Sequence, residues 1–292
     1  MLPGLFQPAS TADLQAQLAR DFPQRLVLAS GGRQALLECG AGPTVVLLHG
    51  IGSGAASWLQ VAQQLASRAR VIAWDAPGYG DSSPLESPAP KAEQYAARLL
   101  QMLDTLGVED CVLVGHSLGA LPALALARST QAQRVRRLLL ISPARGYGAA
   151  QFAERRQQVR QQRLDNLEHL DIAGLAEQRS AHMLSPAAEP QALAWVRWNM
   201  ARLNPDGYRQ AIELLCGDDL LRHGAPDMPC DVHCGDADSI TPAATCLSLA
   251  QALGARFSLI AGAGHASPIE QPRVVAGLVA CALQESLTGS PL

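Results

Sequence analysis

Gly115-His116-Ser117-Leu118-Gly119 follows the apolar, β-branched run Cys111-Val112-Leu113-Val114 and opens the Ala/Leu-rich run 120–127. The order is strand, sharp turn, helix. A serine at such a turn is pushed out of the backbone into reach of a substrate, and the flanking glycines avoid collision with the neighbouring strand and helix. Gly-x-Ser-x-Gly alone also fits a tight turn carrying an inert serine. The strand before it and the helix after it make Ser117 a nucleophile candidate.

Three more segments repeat the strand-then-loop pattern. Val45-Val46-Leu47-Leu48 runs into His49-Gly50-Ile51-Gly52-Ser53-Gly54, a glycine-rich loop able to lay a backbone N–H beside the serine. Val232-His233-Cys234 leads into Gly235-Asp236-Ala237-Asp238-Ser239-Ile240-Thr241-Pro242. Phe257-Ser258-Leu259-Ile260 leads into Gly262-Ala263-Gly264-His265 after one intervening residue. The chain order is Ser, Asp, His, each at the carboxyl end of a predicted strand. Ligands and catalytic groups of open parallel sheets collect there.

With these segments, Asp75-Ala76-Pro77-Gly78-Tyr79-Gly80-Asp81-Ser82 and Glu270-Gln271-Pro272, the chain resembles an α/β-hydrolase fold protein of the esterase-like serine-hydrolase type over nearly its whole length. The resemblance implies a mostly parallel eight-stranded sheet with helices on both faces and a helical lid. It favours Asp238, three residues after Gly235 and four before Pro242, as the acid; Asp236 is a rival on the same loop.

The roles follow from the chemistry. A serine hydroxyl is a weak nucleophile, so a base must take its proton during attack on a carbonyl carbon. His265 is the candidate base, and then the acid for the leaving group. The aspartate holds the imidazole tautomer and stabilises the imidazolium. The backbone N–H groups of Leu118 and Ile51 are the expected oxyanion hole. No cofactor or metal is required. His49 is expected to brace the oxyanion loop and Glu270 to support the His265 loop. His116 sits inside the elbow, facing the pocket or packing beneath it.

Substitutions within the resemblance narrow the reaction. Ser117 stands where dehalogenases and epoxide hydrolases of this fold carry Asp. Carbon–carbon bond hydrolases of meta-cleavage pathways usually carry Asn before the serine and Trp after the histidine; this chain has His116 and Ala266, although its 49–54 loop partly resembles theirs. Cofactor-free haloperoxidase-like members often have Met where this chain has Leu118. The expectation is a hydrolase of small carboxylic esters, lactones or thioesters. The alternatives are a meta-cleavage-type C–C bond hydrolase and a non-catalytic ligand-binding protein on this fold.

Composition agrees. At 292 residues, 48% hydrophobic and 17% charged, the chain can bury a large α/β core plus an insertion. A net charge of −3 leaves no basic footprint for nucleic acid. Lys91 is the single lysine against 22 arginines, which reads as genome composition rather than phosphate recognition. Residues 1–25 lack a basic start with an apolar run behind it, and no apolar run approaches the ~20 residues that span a bilayer. Seven scattered cysteines fit buried thiols of a reducing cytoplasm. Strand alternation points His233 away from Cys230 and Cys234, so they do not read as a zinc site. A cytoplasmic monomer or homodimer acting on a small molecule, without nucleic acid or membrane partners, is expected.

Strands are predicted at 25–29, 34–39, 44–48, 71–74, 111–114 and 138–141, the first two antiparallel, with helices at 55–67 and 92–106. After 143 the alternation stops, and 148–223 is helical in pattern. It resumes at 231 and ends in a helix over 271–287. The expected division is a core over 1–143 and 224–292, interrupted by a lid over 144–223. Trp195 and Trp198, three apart, share a helical face. They either line the pocket, with Met183, Leu184, Asn199 and Met200, or pack the lid on the core. Arg145 is a candidate contact for an anionic acyl group, or a solvated arginine.

Overall fold

A computed structural model describes residues 10–288; residues 1–9 of the N-terminal stretch and 289–292 of the second core part lie outside the described residues. The strands are β1 Gln24–Ala29, β2 Gly32–Cys39, β3 Thr44–Leu48, β4 Arg70–Trp74, β5 Cys111–His116, β6 Val135–Ile141, β7 Cys230–Gly235 and β8 Arg256–Ile260. The helices are α1 Thr11–Asp21, α2 Leu59–Leu65, α3 Ala92–Thr105, α4 Ala120–Ala127, α5 Ala153–His169, α6 Ile172–Arg179, α7 Pro190–Met200, α8 Pro205–Gly217, α9 Ala243–Leu253, α10 Ser267–Glu270 and α11 Pro272–Thr288.

All eight strands join one sheet in the order β1-β2-β4-β3-β5-β6-β7-β8. Only β2 runs antiparallel to its neighbours, β1 and β4; the other pairings are parallel. The period-two side-chain alternation of strands sorts the apolar residues onto two faces. Val45, Leu47, Val71, Ala73, Val112 and Val114 pack with Val61 and Leu65 of α2 and Val275, Val279 and Leu283 of α11. Val46, Leu48, Ile72, Trp74 and Leu113 pack with Leu99 and Met102 of α3, Leu121 and Leu124 of α4, and Leu249 of α9. Both faces of the central strands are thereby covered, which is why their sequences are continuously apolar rather than alternating.

Two elements depart from the sequence expectation. The helix expected over 55–67 is a 3₁₀ turn, Ala55–Trp58, followed by α2. The tight turn is held by side chains: Asp75 Oδ1 accepts the Ala55 N–H at 2.8 Å, and Ser57 Oγ donates to the Gly54 carbonyl at 2.8 Å. Helix α1 was not expected. Its signal is a capping box in which Ser10 Oγ accepts from Asp13 N–H and Asp13 accepts from Ser10 N–H.

The break in alternation is real. Between β6 and β7 lie α5 to α8, with α5 against α8 and α6 against α7. Asp171 caps α6, and Asn204 caps α8, which has Pro205 in its first turn. Among the described residues no helix is long and apolar enough to cross a membrane.

Candidate active site

The loops after β3, β5, β6, β7 and β8 meet at one edge of the sheet and carry Ile51, Ser117, Arg145, Asp238 and His265 respectively. Ser117 has φ of 51°, a left-handed conformation that L-residues avoid. Surrounding packing imposes it. A Cβ on Gly119 would lie 2.6 Å from the Leu48 carbonyl oxygen, and one on Gly50 would lie 2.9 Å from Ser117 Cβ. Only glycine lets the β3 loop, the turn and α4 approach this closely. The Ser117 carbonyl accepts the Ala144 N–H at 3.0 Å, tying the turn to the β6 loop.

His265 Nε2 lies 2.9 Å from Ser117 Oγ, and His265 Nδ1 lies 2.9 Å from Asp238 Oδ2. The geometry brings Asp238, not Asp236, to the histidine. Asp236 is exposed, and its Oδ1 accepts the Gly262 N–H at 2.9 Å. Asp238 is buried and saturated with donors. Its Oδ1 accepts the N–H groups of Ile240 and Thr241 at 2.8 and 2.9 Å, and its Oδ2 also accepts from Thr241 Oγ1 at 2.9 Å. Burial alone would raise the Asp238 pKa; the bond to His265 and its charge, with the Thr241 N–H, outweigh burial and hold the carboxyl well below the usual range. Asp238 is therefore an anion at neutral pH, as an imidazole-orienting group must be.

The other loop residues act as braces. His49 Nε2 accepts the Ala76 N–H at 3.0 Å, which leaves Nδ1–H to donate to the Gly50 carbonyl at 2.8 Å. Tyr79 Oη donates to the Ile51 carbonyl at 2.7 Å, fixing the other side of the same peptide run. Among the described residues the Ile51 N–H donates to no protein acceptor. Glu270 receives the Ser185 N–H at 2.9 Å and the Gly264 N–H at 2.8 Å, so it clamps the His265 loop to the helical insertion. His116 packs beneath the elbow: its Nε2–H donates to the His265 carbonyl at 2.8 Å. Burial and the neighbouring His265 push the His116 pKa down to about 3, keeping it neutral.

Ser117 and His265 open into a cavity of about 490 Å³, within the range of small-molecule sites. The core contributes Ile51, Gly52, Leu118 and the Ile240–Pro242 loop; the insertion contributes Arg163, Leu175, Arg179, Met183, Met200 and Tyr208. Arg145 also lines it, paired with Asp219 at 3.3 Å and lying over the Phe152 ring at 4.7 Å.

Trp195 and Trp198 require a correction. They stack on each other, with ring centroids 4.5 Å apart, but neither lines the Ser117 cavity. Helix α7 packs against α1 and α10, which turns this face away from the serine. Trp195 is buried there, and Trp198 with Asn199 borders a separate cavity of about 410 Å³ beside α1. Of the four companions expected with them, Met183 and Met200 reach the Ser117 cavity, whereas Leu184 and Asn199 do not.

Sequence reasoning missed Thr241 as a bridge between Asp238 and His265, although it stands in the acid loop. It missed Arg163 and Arg179 because a chain with 22 arginines gives no signal for any one of them. Among the described residues, one trio has metal-ligand geometry, Glu93, Asp218 and His223, remote in sequence from the serine loops. Arg222 already bonds both of its carboxylates, so its charge is met by a side chain.

Comparison with known proteins agrees with this architecture. A family model described as alpha/beta hydrolase fold matches residues 43–272. The chain is 30% identical over 280 residues to the 2-hydroxymuconate semialdehyde hydrolase of Pseudomonas sp. strain CF600, covering 90% of this chain and 94% of that protein. It is 35% identical over 120 residues to a 2-hydroxy-6-oxononadienedioate/2-hydroxy-6-oxononatrienedioate hydrolase of Dechloromonas aromatica. That shorter match spans 39% of this chain and 41% of the relative's length. Among solved structures, the enol-lactonase of Burkholderia xenovorans LB400 superposes with a TM-score of 0.79 at 25% identity, covering 89% of this chain and all of that one. A thermophilic esterase from Thermogutta terrifontis, at 24% identity, shares the fold with a TM-score of 0.78 over 90% of this chain and 98% of its own. With its sheet order, its serine turn and a family match over most of its length, the chain belongs to the α/β-hydrolase fold family.

Proposed function

We propose that this protein is a serine hydrolase of small carboxylic esters, lactones or thioesters, working through an acyl-enzyme on Ser117. The observation that carries the reading is the continuous Ser117–His265–Asp238 hydrogen-bond chain opening into a cavity of small-molecule size. An assembled chain of this kind is not needed by a catalytically silent binding protein.

Ser117 Oγ attacks the carbonyl carbon while His265 Nε2 takes its proton. The His265 Nδ1–H stays directed at Asp238, whose negative charge stabilises the imidazolium. The developing oxyanion meets the N–H groups of Leu118 and Ile51, fixed donors worth roughly 3 kcal/mol each in other enzymes. Collapse of the tetrahedral intermediate transfers the His265 proton to the leaving oxygen or sulfur. Water, deprotonated by the same histidine, then releases the acid. Helices α5 to α8 serve as the lid over this chemistry, and Glu270 couples the lid to the His265 loop.

A second reading has a specific observation in its favour. The relative that aligns along 90% of this chain is named a 2-hydroxymuconate semialdehyde hydrolase, so C–C bond cleavage of a dienone acid is supported too. His116 and Ala266 stand against it, occupying positions where such enzymes carry Asn and Trp. Steady-state rates on p-nitrophenyl esters, lactones, acyl thioesters and dienone acids separate the two. Turnover of an ester, lactone or thioester at the highest kcat/KM is expected; turnover of dienone acids alone would replace the proposal with the second reading.

A further inference from the structure

The wall that the helical insertion gives to the Ser117 cavity is cationic. Arg163 projects from α5 and Arg179 from the end of α6, and both line the cavity with Arg145. No aspartate or glutamate lines it. Arg145 has its carboxylate, Asp219. Among the described residues, neither Arg163 nor Arg179 has an acidic group within salt-bridge distance. Arg33, Arg68, Arg155, Arg202 and Arg273 also have no ion pair, but they are exposed to water, whereas Arg163 and Arg179 border the Ser117 cavity.

Arg163 Nη1 donates to the Tyr208 hydroxyl oxygen at 2.9 Å. Tyr208 is buried, and its own O–H has no acceptor among the described residues. A guanidinium fork, a second guanidinium and a hydroxyl donor thus border one cavity with nothing anionic to receive them. Burial, and then the like charge of Arg163, disfavours the charged form of Arg179. A cation in this state gains most when an anion enters.

We infer that Arg163, Arg179 and Tyr208 form a receptor for a carboxylate carried by the substrate. The substrate class is then a bifunctional small molecule, with a free carboxylate held by the insertion and the scissile carbonyl at Ser117. This rests on the hydrolase reading for the carbonyl end, but the receptor stands on its own lining residues. A carboxylate is favoured because paired guanidinium forks match its planar, two-oxygen edge. The same cavity is lined by Leu175, Met183, Met200 and Leu203, which suit a short hydrocarbon spacer.

Two measurements on the full-length protein test this. The first compares p-nitrophenyl hydrogen glutarate with p-nitrophenyl pentanoate, which have acyl chains of equal length but differ in the terminal carboxylate. The wild type is expected to favour the glutarate by at least tenfold in kcat/KM. Arg163→Gln and Arg179→Gln are expected to lower that ratio by tenfold or more, and Arg179→Lys by less. The second is calorimetric titration of Ser117→Ala with glutarate, with glutaramide and with inorganic phosphate. Glutarate binding that is lost in Ser117→Ala/Arg179→Gln supports the receptor. Glutarate binding to Ser117→Ala without hydrolysis of any ester, lactone or thioester by the wild type leaves the receptor standing and removes the hydrolase reading. A wild-type ratio near one, glutarate and glutaramide binding alike, or phosphate binding without glutarate would overturn the carboxylate assignment.

Discussion

Asp238→Asn changes a single atom of Asp238 and tests the site's wiring. In the native site, Asp238 Oδ2 accepts from His265 Nδ1–H and Thr241 Oγ1, while Oδ1 accepts two backbone N–H groups. Those N–H groups have no alternative position, so the asparagine oxygen must stay at Oδ1 and its NH₂ must take the place of Oδ2. That NH₂ donates, so His265 Nδ1 must accept. The proton moves to Nε2 and now points at Ser117, which cannot lose its own proton to it. The imidazolium also loses its counter-charge. The same substitution in another serine-hydrolase triad lowers kcat about 10⁴-fold, equivalent to about 5.5 kcal/mol of barrier. We expect a fall of about 10³- to 10⁴-fold here, read as kcat on a p-nitrophenyl ester, with the fold checked by circular dichroism. Asp236→Asn keeps the oxygen that accepts Gly262 N–H and touches nothing in the chain of bonds, so its kcat should stay within about threefold of wild type. An Asp238→Asn protein within tenfold of wild type, or equal losses in both variants, would refute the reasoning.

Three further outcomes follow from other parts of the molecule. Burial pushes the pKa of His116 down to about 3 and, helped by Arg137, that of His233 down to about 4. Both bind protons near pH 6.5 only when unfolded, so stability is greatest above pH 6.5 and falls as pH drops toward 4. The slope is up to ~1.4 kcal/mol per pH unit for each histidine; urea melts of His233→Gln should show a shallower acid loss than wild type, and an unchanged slope would contradict it. Trp195→Ala should cost about 3–5 kcal/mol of stability by opening a hole in the core, and ester chain-length preference should not move; a changed preference would return this tryptophan to the pocket. Gly119→Ala drives a methyl to 2.6 Å from the Leu48 carbonyl oxygen, so it should lower Tm and abolish fluorophosphonate labelling, whereas normal labelling would show that the turn has slack.

Much of the sheet was legible because central strands buried on both faces read as unbroken apolar runs, as Val45 to Leu48 and Cys111 to Val114 do. Ser117, Asp238 and His265 were legible because each follows such a run on a glycine-bearing loop. The choice between Asp236 and Asp238 was not fully readable, since it depends on which loop carboxylate turns inward. The tryptophan pair was left between pocket and packing for a related reason. A spacing of three places Trp195 and Trp198 on one face of α7, but only tertiary packing decides whether that face meets the pocket or α1. Arg163 and Arg179 were invisible because what distinguishes them is their place on the wall of the Ser117 cavity, a property of space rather than of sequence.

Covalent trapping bears most directly on the proposed nucleophile. Full-length protein treated with a fluorophosphonate should gain one adduct by intact mass, and peptide mapping should place it on Ser117. Ser117→Ala should gain none, and His265→Gln should react at least a hundredfold more slowly. An adduct on another residue, or ester turnover by Ser117→Ala at the wild-type rate, would contradict the acyl-enzyme mechanism.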